Sequence, residues 1–326
     1  MIRFRGLREL VRAGILSVTR SRAALFWTIM FPLFLLGIFG AIFSRFSTMT
    51  EILPGLWTIT IISASFFGNS MIMVQEREAG TFRRYLVTPV NSATVVAAYG
   101  IVGSVTLCLS LLLQGVAAWT VFGVDCRGPV WALPIVLLVG ILAFAPLGLL
   151  VGSIARDLKT APVLTNLLFF PLMFLSGAAI PFFMLPHFVQ VGAKLLPSTY
   201  VVESLTGVMV RGESLGAQTA PLLILLATGA FGVWLNALLF RWESTQPLSR
   251  QRLGLALLGL LLLYGIAALV GPTLRMVSPP DKSTSALSVT TKAAASGSSS
   301  ASDYGAARPT PSVAAATSRS ESRSAA

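Results

Sequence analysis

The sequence predicts an all-α polytopic membrane protein, and this fold class rests on composition and on the placement of charges. Hydrophobic residues make up 55% of the 326-residue chain and charged residues only 11%, whereas a soluble domain carries about 25% charged residues. Seven long stretches contain no Asp, Glu, Lys or Arg, and a helix needs roughly 20 apolar residues to cross a bilayer. An ordinary soluble domain is therefore excluded.

Residues 1–22, before the first apolar stretch, predict an amphipathic helix on the inner membrane surface. They hold six arginines, and their apolar side chains recur at helical spacing, at Phe4, Leu7, Leu10, Val11 and Ile15. Such a helix buries its apolar side in the headgroup region while its arginines stay near lipid phosphates. Membrane lipid is therefore one expected partner.

Residues 23–243 predict a six-helix transmembrane domain. Its apolar stretches are approximately Ala23–Phe43, Ile52–Val74, Ser92–Val124, Val130–Ile154, Ala161–Phe183 and Ala220–Phe240. A seventh apolar stretch at residues 253–273 predicts an extra span. Of the 49 residues from 278 to 326, 31 are Ser, Ala or Thr, which is too little apolar volume to offset the entropy of ordering. We therefore expect a disordered C-terminal tail.

Basic residues are distributed unevenly between the two sides of the predicted bundle. With the N-terminus inside, four inner segments hold 14 of the 24 Lys and Arg residues, three outer loops hold four, and residues 274–326 hold six. Because cytoplasmic loops carry an excess of Lys and Arg, we expect a multi-pass protein of the cytoplasmic (inner) membrane with a cytoplasmic N-terminus. The net charge of +12 then reflects orientation, and no nucleic-acid partner is expected.

Missing residue types disfavour several functions. No apolar stretch contains a charged residue, whereas proton- and ion-coupled carriers use charged relays within the membrane. The chain has no G-x-x-x-x-G-K-[ST] phosphate loop, so it does not hydrolyse ATP by that route. The single histidine, His187, lacks a neighbouring acid or cysteine cluster. We therefore expect no catalytic residues, no metal and no cofactor in this chain.

The inner loop at residues 75–91 is the densest group of charges in the chain. Five of the 36 charged residues fall within nine positions of it. The run from Glu76 to Glu78 is expected to end span two in water, and Gly80 allows the chain to change direction. Taken alone, this composition also fits a simple positive anchor followed by a turn.

The second half of that loop predicts a short helix. Thr81 is suited to cap its start, and Thr88 with Pro89 ends it. Phe82 and Leu86 then lie on one face, with two arginines on another. A short helix with an apolar face at the membrane surface is suited to docking on a partner.

Residues 181–219, between spans five and six, predict short external re-entrant helices. Pro171 and Pro181 break or kink helices, and Gly177 permits close approach of the backbone. The stretch is also too long for a simple turn.

Two patterns resemble the permeases of type-2 ATP-binding-cassette (ABC-2) exporters. The first is Glu-Arg-Glu-x-Gly-Thr at 76–81, followed by Thr-Pro-Val at 88–90. The second is Phe-Leu-Ser-Gly at 174–177, followed by Pro181 and by Leu-Leu-Pro-Ser-Thr-Tyr at 195–200. Together with the predicted topology, the resemblance covers residues 1–243, and the seventh span and the tail depart from the family pattern.

This resemblance implies the membrane subunit of an ATP-driven exporter. In that family the inner loop holds a coupling helix that sits in a cleft of a separate ABC ATPase, which binds ATP and Mg. Two permeases, as a homodimer or as a heterodimer with a related chain, would form the path. The implied ATPase-coupling residues are Glu76, Arg77, Glu78, Gly80, Thr81, Phe82, Leu86, Thr88 and Pro89.

Candidate path residues lie on spans two and five. They are Phe66, Phe67, Asn69, Asn166, Phe169, Phe170 and Phe174. Because the spans carry no charge, a hydrophobic or amphipathic cargo such as a drug, an antibiotic or a lipid fits better than a bare ion. Aromatic residues in spans more often pack or face lipid, so a packing role stays open for each of them.

Two other functions remain open from the sequence. A polysaccharide or lipid-linked glycan exporter would share this architecture. A non-transporting membrane scaffold would use its basic loops to bind anionic lipid or a partner.

Overall fold

The structure is a computed structural model that describes residues 4–20, 26–43, 49–81, 92–180, 182–239 and Gly265. All regular secondary structure within these ranges is helical, which confirms the predicted all-α class. The predicted seventh span at 253–273, except for Gly265, and the predicted tail at 278–326 lie outside the described residues.

Ten α-helices of seven or more residues lie within the described ranges. Their bounds are α1 Phe4–Arg20, α2 Phe31–Phe43, α3 Met49–Ser63, α4 Ser70–Glu78, α5 Ser92–Phe122, α6 Ala132–Ile154, α7 Thr160–Leu175, α8 His187–Ala193, α9 Pro197–Met209 and α10 Thr219–Leu239. A π-helical turn, Phe26–Met30, precedes α2, and a second one, Ala64–Asn69, joins α3 to α4. Single 3-10 turns occupy Phe182–Met184 and Leu215–Gln218.

Six apolar helices correspond to the first six predicted spans. Four are long and apolar enough to cross a membrane, at Met49–Glu78, Thr94–Phe122, Ala132–Ile154 and Leu215–Ala237, and two shorter ones cover Phe31–Ile42 and Thr160–Leu175. Spans one to six are therefore α2, α3 with α4, α5, α6, α7 and α10.

Span four, α6, is the central helix of the bundle. It packs against α10, against α4 and the π turn of span two, and against α5 and α9. A Cβ atom on Gly148 would overlap the backbone oxygen of Ser65, and one on Gly152 would crowd Ser70 and Met73. Inside a membrane, helices associate through such close packing because lipid is as apolar as the helices themselves.

Two buried amides add hydrogen bonds between spans. Gln114 of α5 donates to the backbone oxygen of Pro32 at 2.8 Å, and its own oxygen lies 3.1 Å from the hydroxyl of Thr60. Asn236 of α10 donates to the backbone oxygen of Pro146 at 2.6 Å. Spans one, two and three are joined by the first amide, and spans four and six by the second.

Helix α1 packs lengthwise along the first half of α5. Leu10 lies with Tyr99 against the small buried cluster that contains Val95, and Gly14 faces Val102 closely. Three arginines of α1, Arg8, Arg12 and Arg20, are exposed. The helix therefore has the amphipathic pattern expected from the sequence.

The connections lie at two ends of the bundle. The Arg77 end contains the turn after Glu78 and the connection 155–159, and the Arg211 end contains the connections 123–131 and 176–218. Span five differs from the predicted stretch because α7 ends at Leu175, not near Phe183. The reason is local, since Gly177 takes a φ of +87° and turns the chain out of the helix.

Replacing Gly148 with alanine should lower the thermal stability of the purified protein. The new methyl group overlaps backbone, which cannot rotate away, and overpacking costs about 1–3 kcal/mol, offset in part by roughly 1 kcal/mol of helix propensity. Gly37→Ala on α2 is the matched control, because nothing lies within 4 Å of its added Cβ. Equal melting temperatures of the two variants in a thermal-shift assay would contradict the close contact.

Candidate functional site

Arg77 connects the end of span two to the end of span four. Its side chain is only 8% exposed, and its guanidinium donates to the backbone oxygens of Ser153, at 3.5 Å, and of Ala155. The last carbonyl groups of a helix have no partner within that helix and carry partial negative charge. Arg77 therefore satisfies the end of α6 with a charged donor and fixes α4 against it.

Glu78 makes a second connection from the same turn. Its Oε1 atom accepts a hydrogen bond from the backbone N–H of Leu158 at 2.9 Å, in the connection between spans four and five. Below these polar contacts, Val74, Ala155 and Ala161 form a small buried apolar cluster. The Arg77 end thus joins the end of span two to the segment that leads into span five.

The 155–159 connection is itself held by hydrogen bonds around Asp157. The carboxylate accepts from the backbone N–H groups of Lys159, at 3.0 Å, and Thr160, at 2.7 Å, while the Thr160 hydroxyl accepts from the N–H of Asp157. The hydrogen bond from the Thr160 backbone, with that from its hydroxyl, holds the pKa of Asp157 below its ordinary value of 3.8. The start of α7 is therefore capped by an ionised carboxylate.

Gly80 ends the helical rod of span two. The N–H of Ala79 bonds the oxygen of Gln75 at 2.9 Å, that of Gly80 bonds the oxygen of Arg77 at 3.1 Å, and Gly80 then adopts a φ of +72°. This backbone conformation favours glycine. It agrees with the change of direction expected there.

The remaining coupling residues are only partly described. Glu76 and Thr81 are half-buried at the start of the loop. Phe82, Leu86, Thr88 and Pro89, with the short helix expected around them, lie outside the described residues.

The expectation that the whole Glu76–Glu78 run lies in water is wrong for Arg77. Its position, four residues after Met73 and three after Val74, places it on the buried face of α4. That spacing was readable in the sequence. Its target, the carbonyl end of α6, was not, because it lies more than 70 residues further along the chain.

The predicted path residues separate into two groups. Phe67 of span two meets Phe169 of span five with ring centroids 5.2 Å apart, and the row continues through Phe170 to Phe174. Phe170 is 48% exposed and Phe174 is 43% exposed, while Asn166 is half-buried on the same helix. These residues form a continuous aromatic strip with one accessible end.

The other two path candidates are buried inside the bundle. Phe66 is 2% exposed and packs edge-on against Phe144 of α6, with centroids 6.3 Å apart. Asn69 is 6% exposed, and its side chain lies over Gly103 of α5. A contact with cargo stays a prediction for all seven residues, and in this conformation these two are covered by neighbouring spans.

The Arg211 end contains an ion cluster that the sequence reading did not single out. Arg211 pairs with Glu203 of α9 at 2.7 Å and with Glu213 at 2.9 Å, and Gln218 donates to Glu213. Burial alone would lower the pKa of Arg211, but the hydrogen bond that Arg211 donates to Glu213 and the two negative charges raise it. The guanidinium therefore stays charged and holds the turn between α9 and α10.

The neighbouring connection is bound to the same turn. Arg127 donates its backbone N–H to Met209 at 3.1 Å and its guanidinium to Val210 at 3.2 Å. Helix α9 packs against α3, α6 and α10 and is buried along nearly its whole length. The 181–219 segment thus contains two short helices, and ion pairs and hydrogen bonds hold its turn at the Arg211 end.

Six apolar helices, with span four at their centre, are linked by close glycine contacts and buried amides and define a polytopic integral membrane protein. The family model described as ABC-2 type transporter matches residues 5–210, which is more than half of the chain. The chain belongs to this family of membrane transport proteins, as the two sequence patterns implied. Permeases of the family work in general with ABC ATPase subunits.

Known relatives include two proteins of Escherichia coli (strain K12). Inner membrane transport permease YhhJ is 28% identical over 191 residues, covering 57% of this chain and 49% of that protein. The protein described as "Probable multidrug ABC transporter permease YbhS" is 24% identical over 186 residues, with the same coverage of 57% and 49%. Nodulation protein J of Rhizobium leguminosarum bv. trifolii is 35% identical over 80 residues, 24% of this chain and 30% of that protein. The chain spans about half the length of the first two relatives.

Arg77→Met should destabilise the protein strongly, because it leaves buried carbonyl groups of α6 without their charged donor. Loss of such a hydrogen bond costs about 1.5–3 kcal/mol. Arg156→Met removes an exposed arginine from the adjacent connection and should change little. Thermal unfolding of both purified variants checks this, and an unchanged midpoint for Arg77→Met would contradict the capping role.

Asp157→Asn should lower stability at neutral pH and have less effect in acid. Because the folded-state pKa is depressed, the ionised carboxylate contributes stability above its ordinary pKa, and this contribution is lost as the pH falls through the folded value. The melting difference between wild type and variant should therefore shrink below about pH 4. Asp125→Asn, which removes an exposed carboxylate at the other end, is the control. A difference that is constant with pH would refute this role of the carboxylate.

Proposed function

We propose that this chain is the membrane subunit of an ATP-driven exporter in the cytoplasmic membrane, with its N-terminus and its Arg77 end in the cytoplasm. One fact supports the orientation, and a second supports the choice of membrane. The basic residues concentrate in the segments that this orientation places inside, and the relative YhhJ is described as an inner membrane permease. The Arg211 end would then face outward.

The observation that carries the proposal is the double connection at the Arg77 end. An ATPase that moves the loop after Glu78 would move span two directly. Arg77 transmits that displacement to α6, and Glu78 transmits it to the connection leading into α7. The Arg77 ends of three spans are then displaced together.

ATP and Mg would be bound by the separate ATPase, because this sequence lacks a phosphate-binding loop of the Walker type. In this proposal the chain holds no catalytic residue, cofactor or metal of its own. Its contribution is the shape of the path and the mechanical connection to the motor.

The cargo in this proposal is a hydrophobic or amphipathic compound, such as a drug, an antibiotic or a lipid. The aromatic strip from Phe67 to Phe174 supports this class, because aromatic faces bind apolar surface without a charge requirement. The description of YbhS as a multidrug permease favours the same class. The exposed end of the strip, at Phe170 and Phe174, would line a path completed by a second permease copy, identical or related.

Co-purification from native membranes tests this function. We expect an ABC ATPase to accompany the chain, the complex to hydrolyse ATP, and the reconstituted complex to move ethidium, an amphipathic probe. An ATPase-free preparation with no nucleotide-dependent ethidium movement would instead favour the scaffold.

Gly80→Val should uncouple ATP hydrolysis from transport. An added Cβ atom meets no atom of the described residues within 4 Å, but the new residue has to adopt a φ of +72°, which costs about 1–3 kcal/mol for a residue other than glycine. ATP hydrolysis should persist while ethidium movement falls. Gly192→Val adds the same side chain in equally open space at a residue without a positive φ and should transport normally. Equal transport by both variants would refute the role of the turn.

A further inference from the structure

The π turn Ala64–Asn69 interrupts span two between the Arg77 end and the aromatic strip. In a π turn each N–H donates to the carbonyl five residues back and not four, so the pairing of the backbone oxygens changes where this turn passes into α4. Single π turns inside α-helices occur frequently at functional sites. The question is what satisfies the backbone oxygen of Phe66.

Two buried hydroxyl groups contact that oxygen. Ser70 donates to it from the same helix, and the hydroxyl of Thr165, on α7 of span five, lies 3.4 Å from it. The Ser70 and Thr165 hydroxyls are also 3.2 Å apart, and either can be the donor. Both side chains are fully buried, so within the described structure these three groups form a closed polar contact between spans two and five.

The three groups admit two arrangements of the hydroxyl protons. In one, Ser70 donates to Phe66 and Thr165 donates to Ser70. In the other, Thr165 donates to Phe66 and Ser70 donates to Thr165. The Phe66 oxygen stays hydrogen-bonded in both, so exchange between them avoids the cost of about 1–3 kcal/mol for an unsatisfied buried group.

The packing around the turn is asymmetric. On one side, the backbone at Ser65 and Ser70 lies directly against Gly148 and Gly152 of α6. On the other side, Thr165 is the polar contact from span five, and Phe67 of the same turn meets Phe169, one helical turn after Thr165. A change in this turn therefore alters the angle of span two and the position of Phe67 together.

We propose that the π turn is the hinge of span two, and that Thr165 is a positioning residue that holds the turn and thereby sets where Phe67 lies in the path. The hydroxyl pair allows the turn to pass between two hydrogen-bonded states as the Arg77 end moves. Thr165 acts through the backbone of span two and makes no contact with cargo. The hinge itself does not depend on the proposed function. Only its role in transport rests on that function.

Spin-label distances across the turn test the hinge in the purified permease alone. Labels at Glu51→Cys and Gln75→Cys, both exposed and on one helical rod, should be about 36 Å apart. Cys108→Ser and Cys126→Ser remove the native thiols, and dilution with unlabelled protein removes distances between copies. We expect one narrow distance distribution for the wild type.

Thr165→Val, which keeps the shape and removes the hydroxyl, should broaden that distribution roughly twofold or split it, because the turn loses its anchor on span five. Ser70→Ala should act in the same direction and serves if Thr165→Val does not fold. Thr165→Ser, which restores the hydroxyl, should be indistinguishable from wild type. Thr228→Val is the matched control, since among the described residues its hydroxyl bonds only Ile224 of its own helix, at 2.8 Å, and it should leave the distribution unchanged.

A wild-type distribution in Thr165→Val and Ser70→Ala, or equal broadening in Thr228→Val, would overturn the hinge. In the reconstituted complex, Thr165→Val should also reduce ethidium moved per ATP hydrolysed, and Thr165→Ser should not. Failure of the hinge and failure of the proposed function are separable. An ATPase that co-purifies while Thr165→Val keeps a narrow distribution contradicts only the hinge, and a broadened variant without any ATPase contradicts only the exporter.

Discussion

Backbone contact between α6 and span two is the interaction on which the rest of the described bundle depends. Gly148 and Gly152 have no side chains to hold the helices apart, so the π turn lies directly against span four. Spans three, five and six then find their places around this pair, through Gln114, Thr165 and Asn236. In lipid, where the hydrophobic effect does not draw helices together, these short-range contacts provide the specificity.

The two ends of the bundle use charge for different purposes. At the Arg77 end, one buried cation satisfies helix carbonyls and joins span two to span four. At the Arg211 end, one cation is shared by two carboxylates, and Arg127 bonds the 123–131 connection to the same turn. The first arrangement joins the ends of spans two and four, where the proposed ATPase would act. The second stabilises the connection between α9 and α10.

The sequence predicted the spans and turns well, because bilayer thickness and glycine geometry act locally. The six apolar stretches coincide with helices, and Gly80 takes the conformation its position suggested. Span five was predicted too long because apolar residues continue past Leu175, and only the φ of Gly177 ends the helix. The π turn could not be predicted, since a shift of one residue in hydrogen-bond register leaves no mark in composition. The partners of Arg77 and Gln114 were hidden for another reason, as each lies more than 50 residues away along the chain.

The ion cluster at the Arg211 end also bears on how the protein is made. Helix α9 carries Glu203 into the bundle, and a lone buried carboxylate would cost several kcal/mol to desolvate. Its counterion, Arg211, follows only eight residues later, so the two charges leave the ribosome almost together. Arg211 can therefore neutralise Glu203 before span six is synthesised. The buried carboxylate has its counterion within its own segment when the last span closes over it.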